Sequence, residues 1–292
     1  MKETTAENLK ETAWNGVCFK APEHWEIGRI GLRYLLFETL DGPQMEIKWA
    51  PVKGTFLMER QLKRLAGMQK RQLRKSFQIR PLPEQWNAVL QGFAATGFIW
   101  QGTNLKGHGI LLFCPQCRTA TLIQFYSRGD SPLNPAAAFL LESFKDHGHT
   151  RLAVFDIKAE LPNGFTLKEY RFNPGQFQLS FVGKRHRAVL YRWSPAAVLL
   201  RGQTLMEFVR SRLDMKGSEV VKSDETVVEG GICRTPSVFR RFWNRLRKTP
   251  NFRWTRIWCE KDKNRLLAVA MSGRARIDQQ AFTHLCKTYE TI

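Results

Sequence analysis

Two thiols and two runs of cations carry most of the chemistry this chain could perform. Cys114-Pro115-Gln116-Cys117 puts two sulfur atoms on either side of a tight turn. At that spacing a zinc knuckle supplies half of a tetrahedral site. Two more ligands are needed, and no second C-x-x-C occurs. His147 and His149 could complete the set if the chain returns to this turn. The same pair could act as a redox dithiol or be a plain hairpin turn. A thioredoxin-like arrangement is disfavoured, because the motif falls between predicted strands rather than at a helix N-terminus. No cofactor is expected outright; zinc at Cys114 and Cys117 is the alternative.

The first run of cations is Arg60, Lys63, Arg64, Arg71, Arg74 and Lys75. At 3.6 residues per turn these six share one side of a helix predicted over 56–77, opposite Leu62, Leu65 and Leu73. No acid interrupts the segment from Arg60 to Arg80. Solvated helix faces usually mix signs, since opposite charges four residues apart stabilise a helix by a few tenths of a kcal/mol. The second run is Arg240, Arg241, Arg245, Arg247, Lys248 and Arg253, interleaved with Phe239, Phe242, Trp243, Phe252 and Trp254. Residues 237–247 could form an amphipathic helix. Trp243, however, lies 143 residues after Trp100, and that offset favours an extended β-hairpin with its tip at Lys248-Thr249-Pro250-Asn251. Guanidinium groups bind phosphate bidentately, and exposed rings stack on unpaired bases. A solvated hairpin with core aromatics is the structural alternative for this run. A helical version would suit an anionic membrane surface.

The offset matters because the chain repeats itself. Pro22-Glu23-His24-Trp25-Glu26-Ile27 returns as Pro162-Asn163-Gly164-Phe165-Thr166-Leu167, and Lys48-Trp49-Ala50-Pro51 as Arg192-Trp193-Ser194-Pro195. Cys114 maps to Cys259, and Ala138-Phe139 to Ala281-Phe282. Landmarks kept in order predict two tandem copies of one domain. The predicted layout is a flexible segment 1–13, a first repeat 14–148 and a second repeat 149–292. Each repeat reads as three strands, a helix, three strands and a helix. That order predicts an α+β domain, an antiparallel sheet with helices packed on it. In the second repeat the helix near 198–214 interleaves Glu207 and Asp214 with Arg201, Arg210 and Arg212, so the scaffold does not require a one-sign stripe.

Pro162-Asn163-Gly164-Phe165 after an apolar strand, with this order of elements, resembles the PsbP-like (Mog/PsbP-like) family. Pro22-Glu23-His24-Trp25 departs from the motif by placing His where Gly is usual. The resemblance implies a non-enzymatic binding or assembly protein.

Composition narrows the partner. The net charge is +20 over 292 residues, which draws polyanions. Walker A, G-x-G-x-x-G, H-E-x-x-H and G-x-S-x-G motifs are absent, so no enzyme is expected. His108 and His186 are isolated between glycines or cations and read as surface residues rather than general bases. The polar, acid-bearing first residues do not resemble a secretory signal, and no apolar run reaches the roughly 18 residues of a membrane span. A cytoplasmic location with reduced thiols is expected. The partner expected first is nucleic acid or a nucleoprotein surface. An acidic protein surface or a peripheral anionic membrane follows.

Overall fold

Asn15, in the left-handed region at φ +41°, turns β1 (Leu9–Trp14) back on β2 (Gly16–Pro22). The segment 1–13, expected to be flexible, therefore contains most of a strand. Its register with β2 buries Ala13 and Trp14, which a free tail could not do. In the computed structural model, residues 8–292 are described apart from 74–75, 103–104, 129–135, 149, 214, 216–217, 233–236, 238, 240–243, 245 and 247–248. The side chains of 68–73 and 148 also lie outside the described set. The chain divides into two units, Met1–Gly148 and His149–Ile292.

In unit 1 the ribbon is followed by β3 (Glu26–Gly31), β4 (Tyr34–Thr39), β5 (Gly42–Pro51) and α1 (Met58–Leu73). Then come β6 (Ser76–Arg80), α2 (Glu84–Val89), β7 (Ala94–Gln101), β8 (Lys106–Cys114) and β9 (Thr119–Ser127). The unit closes with α3 (Ala136–Ser143) and β10 (Lys145–Gly148). Seven strands make an antiparallel sheet in the order β3-β4-β5-β9-β8-β7-β6. Separately, β2 pairs with both β1 and β10.

Helix α1 lays Leu62 on the sheet over Phe98, Trp100 and Leu111. Burial of a leucine of this kind stabilises by roughly 1.5–3 kcal/mol. The helix expected over 56–77 ends at Leu73. Phe77 belongs to β6 and stacks on Phe98 with ring centroids 4.9 Å apart, because Phe77 and Ile79 alternate with polar residues at a strand period. Gly107 and Gly109, flanking His108, have a packing cause. A Cβ on either would lie within 2.4 Å of the Trp100 or Phe98 ring.

Unit 2 runs β11 (Arg151–Val154), β12 (Ile157–Glu160), β13 (Thr166–Asn173), β14 (Gln176–Val182) and β15 (His186–Trp193). Next come α4 (Ala196–Leu199), α5 (Leu205–Arg212), β16 (Glu219–Ser223) and β17 (Val227–Ile232). It ends with β18 (Phe252–Glu260), β19 (Arg265–Gly273), α6 (Gln279–Thr288) and β20 (Glu290–Thr291). Its seven-stranded sheet is ordered β13-β14-β15-β19-β18-β17-β16, and β12 pairs with β11 and β20. The helix expected near 198–214 is broken at Gly202, which has φ +75°. It restarts behind a capping box between Thr204 and Glu207.

The class is α+β with antiparallel sheets. The element order differs from the expected three strands, helix, three strands, helix. Unit 1 has five strands before its first helix, and each unit adds an edge strand (β6 or β16) and a closing strand (β10 or β20). These extra strands are short or follow helices directly, so their period-2 signal merges with the neighbouring helical pattern.

Candidate metal centre and cationic groove

The turn between β8 and β9 holds Cys114 and Cys117. Cys114 pairs with Thr119 to close a four-residue loop, and Arg118 takes a left-handed conformation at φ +55°. The closing strand β10 comes back to this loop. Lys145 pairs with Cys18 and Gly148 with Gly16, so β10 spends one residue more than β2 over the same stretch. Such a bulge breaks the strict alternation of side chains. Two successive residues, Asp146 and His147, can then face the same turn. Cys117 Sγ donates to Asp146 Oδ2 at 3.0 Å. Cys114 Sγ lies 3.3 Å from His147 Nε2, and that nitrogen is 3.0 Å from Asp146 Oδ1. Cys114 and Asp146 are buried, and the His147 side chain is half exposed. Burial pushes the Cys117 thiol up to about 11, and the hydrogen bond to Asp146 adds to the shift. His149, the other expected ligand, lies outside the described residues. Asp146 was not anticipated; in the sequence it reads as part of the junction between repeats.

A second constellation lies at one end of the sheet in unit 2. The turn Gly183-Lys184-Arg185 between β14 and β15 is closed by Gly183 N–H donating to the His186 carbonyl at 2.8 Å. The imidazole of His186 then donates from Nε2 toward the carbonyl oxygens of Ala275 (3.2 Å) and Arg276 (3.1 Å). This pins the chain leaving β19 beneath the turn. Gly273 permits the approach, since a Cβ there would lie 2.4 Å from the His186 ring and 2.6 Å from the Arg185 carbonyl.

The result is a groove of about 890 Å³ lined by Lys184, Arg185, Arg187, Thr249, Pro250 and Arg274 among others, with no acid among its described lining residues. Lys184, Arg185, Arg187 and Arg274 are exposed. Register places Arg187 opposite Ser272 and Ser272 opposite Arg253, so the two arginines lie in one row on one sheet face. Arg187 Nε donates to Ser180 Oγ at 2.8 Å, which fixes the base of its side chain.

Of the expected cationic residues, Arg60, Lys63 and Arg64 are exposed on α1 of unit 1. Arg60 and Arg64 line one concavity with Thr55, Leu57 and Gln61. The Arg71 side chain, and Arg74 and Lys75 entirely, lie outside the described residues, as do Arg240, Arg241, Arg245, Arg247 and Lys248. Arg253 is half-buried in unit 2 beside the groove.

The extended hairpin expected across this segment is corrected. Strand β17 ends at Ile232 and β18 begins at Phe252, while Phe239, Asn244 and Leu246 between them are helical. Trp243, expected to match Trp100, lies outside the described residues; β17 and β18 are joined by residues 233–251 where β7 and β8 are joined by 102–105, so one offset does not hold across both. Phe252 and Trp254 are also core residues, not stacking platforms. Both are 8% exposed, and Trp254 Nε1 donates to Glu229 at 2.8 Å. Lys184, Arg185, Arg187 and Arg274 were missed. The run Gly183-Lys184-Arg185-His186-Arg187 was their visible signal.

No family model matches the sequence, and no curated protein matches it either. Solved structures similar to part of it include two of Mog1. One is a mutant of the protein Mog1, with 9% identity and a TM-score of 0.32 over 49% of this chain and 95% of that one. The other is the Saccharomyces cerevisiae Ran-binding protein Mog1p, with 9% identity and a TM-score of 0.31 over 46% of this chain and 89% of that one. Likeness at this level says nothing of what the chain binds. No helix among the described residues is long and apolar enough to cross a membrane.

Proposed function

We propose that this is a cytoplasmic, non-enzymatic binding protein built from two copies of one PsbP-like domain, and that it engages nucleic-acid phosphates through unit 2. The observation that supports this most is the groove itself. Lys184, Arg185 and Arg187 from one turn and Arg274 from the end of β19 line one concavity with no acid among its described lining residues, although Arg187 also lies 4.0 Å from Glu169. Neighbouring cations repel one another, and a shared anion offsets that repulsion. Phosphates are bound bidentately by guanidinium groups. The buried Phe252 and Trp254 leave recognition to charge and shape, so affinity comes without base stacking from those two rings. The exposed Arg60, Lys63 and Arg64 of α1 add a weaker, sequence-independent contact.

The test is filter binding of RNA and DNA at two ionic strengths. Each neutralised phosphate releases counterion, so affinity should fall steeply as salt rises. Failure to bind at low salt, or affinity indifferent to salt, rejects the proposal. Capture of a protein that survives nuclease treatment, with no nucleic acid bound, would assign the groove to an acidic protein instead.

A further inference from the structure

We propose that Cys114, Cys117, Asp146 and His147 form a zinc site that clamps the β8–β9 turn to the closing strand β10. The donor set is two thiols, one imidazole and one carboxylate, and zinc takes all three types in tetrahedral sites. Their ligand atoms all lie within 4.8 Å of one another. Bond lengths of about 2.3 Å to sulfur and 2.0–2.1 Å to nitrogen or oxygen imply tetrahedral edges of about 3.3–3.8 Å. Three separations of 3.0–3.3 Å, two of them made by different oxygens of Asp146, need to open by a few tenths of an ångström, while the widest pairs, within 4.8 Å, must close toward the same edge length to admit the ion.

An independent observation points to the same centre. Asp146 Oδ1 is buried and accepts no hydrogen bond, which is costly for a carboxylate oxygen; it faces His147 Nε2 at 3.0 Å, another of the four donors. A cation between the four side chains would satisfy it. The bulge in β10 serves the same end, because without it Asp146 and His147 would point to opposite sides of the strand.

Four protein ligands, two of them buried, make a closed site, which is the structural rather than the catalytic pattern. Binding replaces two S–H bonds with two zinc–thiolate bonds and releases two protons to solvent. No electrons move, so no oxidant is required. A dithiol–disulfide reaction at the same pair would need one.

The experiment uses the full chain. Metal content is measured as purified, after chelation, and on titration with zinc and with cobalt ions. The expected result is one equivalent of zinc per chain. Cobalt should show the intense visible bands of a tetrahedral site and near-ultraviolet thiolate charge transfer. Loss of an outer-shell partner typically weakens metal binding 10–100-fold, so losing a ligand should cost about 100-fold or more in Cys117→Ser and in His147→Ala. Cys259→Ser in unit 2 should keep the full equivalent. Cys117→Ser must retain its circular dichroism to count. If it does not, His147→Ala, at a half-exposed side chain, decides alone. Absence of zinc binding at micromolar concentration, or an undiminished equivalent in the folded variants, overturns the assignment.

Discussion

The turn between the second and third strands of the seven-stranded sheet reads Leu40-Asp41 in unit 1 and Gly183-Lys184-Arg185 in unit 2. The first carries an acid and a fully exposed leucine. The second carries two cations over the end of β19. A second pair of places differs as sharply. Cys114 and Thr119 close the β8–β9 loop of unit 1, while Glu260 and Arg265 close the β18–β19 loop of unit 2. The last residue of each loop, Arg118 or Asn264, is left-handed. By this register Glu260 and Lys263 stand where Cys114 and Cys117 stand; matching Cys114 to Cys259 by sequence offset is wrong by one residue.

In unit 2 the closing strand is held by Thr291 Oγ1 donating to Glu260 at 2.5 Å and by Lys263 donating to the Thr291 carbonyl. The same joint between sheet turn and last strand is thus made from hydrogen-bonded charges in one unit and from metal-ligand residue types in the other. Two sheets of the same strand order carry different chemistry at corresponding places, and each such place is a candidate for specialised work.

The largest expected effect breaks the joint of unit 1. Zinc held about 1,000-fold above its dissociation constant stabilises the folded state by about 4 kcal/mol. Chelation should therefore lower the melting temperature of the unmodified chain and leave that of Cys117→Ser unmoved. A thermal melt with and without zinc checks this.

Next is the counterpart joint. Glu260→Ala strands the Thr291 hydroxyl and removes an acceptor, which should cost about 1–3 kcal/mol in a urea titration with no loss of bound metal. Gly273→Ala follows, at about 1–3 kcal/mol, because the new methyl meets a backbone carbonyl that cannot move aside. It should weaken phosphate binding as well, since the collision is with the turn that carries Lys184 and Arg185.

A shallower effect concerns Cys286 on α6, whose thiol burial pushes up to about 12 from an ordinary value of 9.0. A raised value in the folded state means that the unfolded chain releases the proton first. The contribution is intact below about pH 9 and declines as pH rises from there toward 12. Stability measured across that window should fall less steeply in Cys286→Ala. The smallest effect is expected on α1, where Arg60→Gln with Arg64→Gln should change stability by no more than about 0.5 kcal/mol.

Much of the architecture was legible in the residues. The residue pattern predicts strands over 91–101, 107–114 and 119–127 and, past Pro132 and Pro135, a helix over 136–146, and β7, β8, β9 and α3 fall there. The edge strand β6 was hidden because Phe77 continues the helical apolar series by coincidence of spacing. The Cys114–Cys117 pair was visible as a half-site, but its partners depend on a bulge in β10, and bulges leave no mark in a hydropathy pattern. The groove was obscured for a different reason. Arg187 and Arg253 are 66 positions apart in the sequence and become neighbours only through the shared partner Ser272. Phe252 and Trp254 look like exposed aromatics beside arginines because alternation alone does not reveal which face of a strand another layer covers.

The direct test compares the two cationic regions in one assay. Lys184→Gln, Arg185→Gln and Arg274→Gln are combined in one chain, and Arg60→Gln, Lys63→Gln and Arg64→Gln in another, and RNA affinity is followed against salt. The groove variant should bind far more weakly, with the slope of log affinity against log salt reduced by about 3, while the helix variant loses little. Equal losses in the two chains, or an unchanged slope in the groove variant, would contradict unit 2 as the seat of binding.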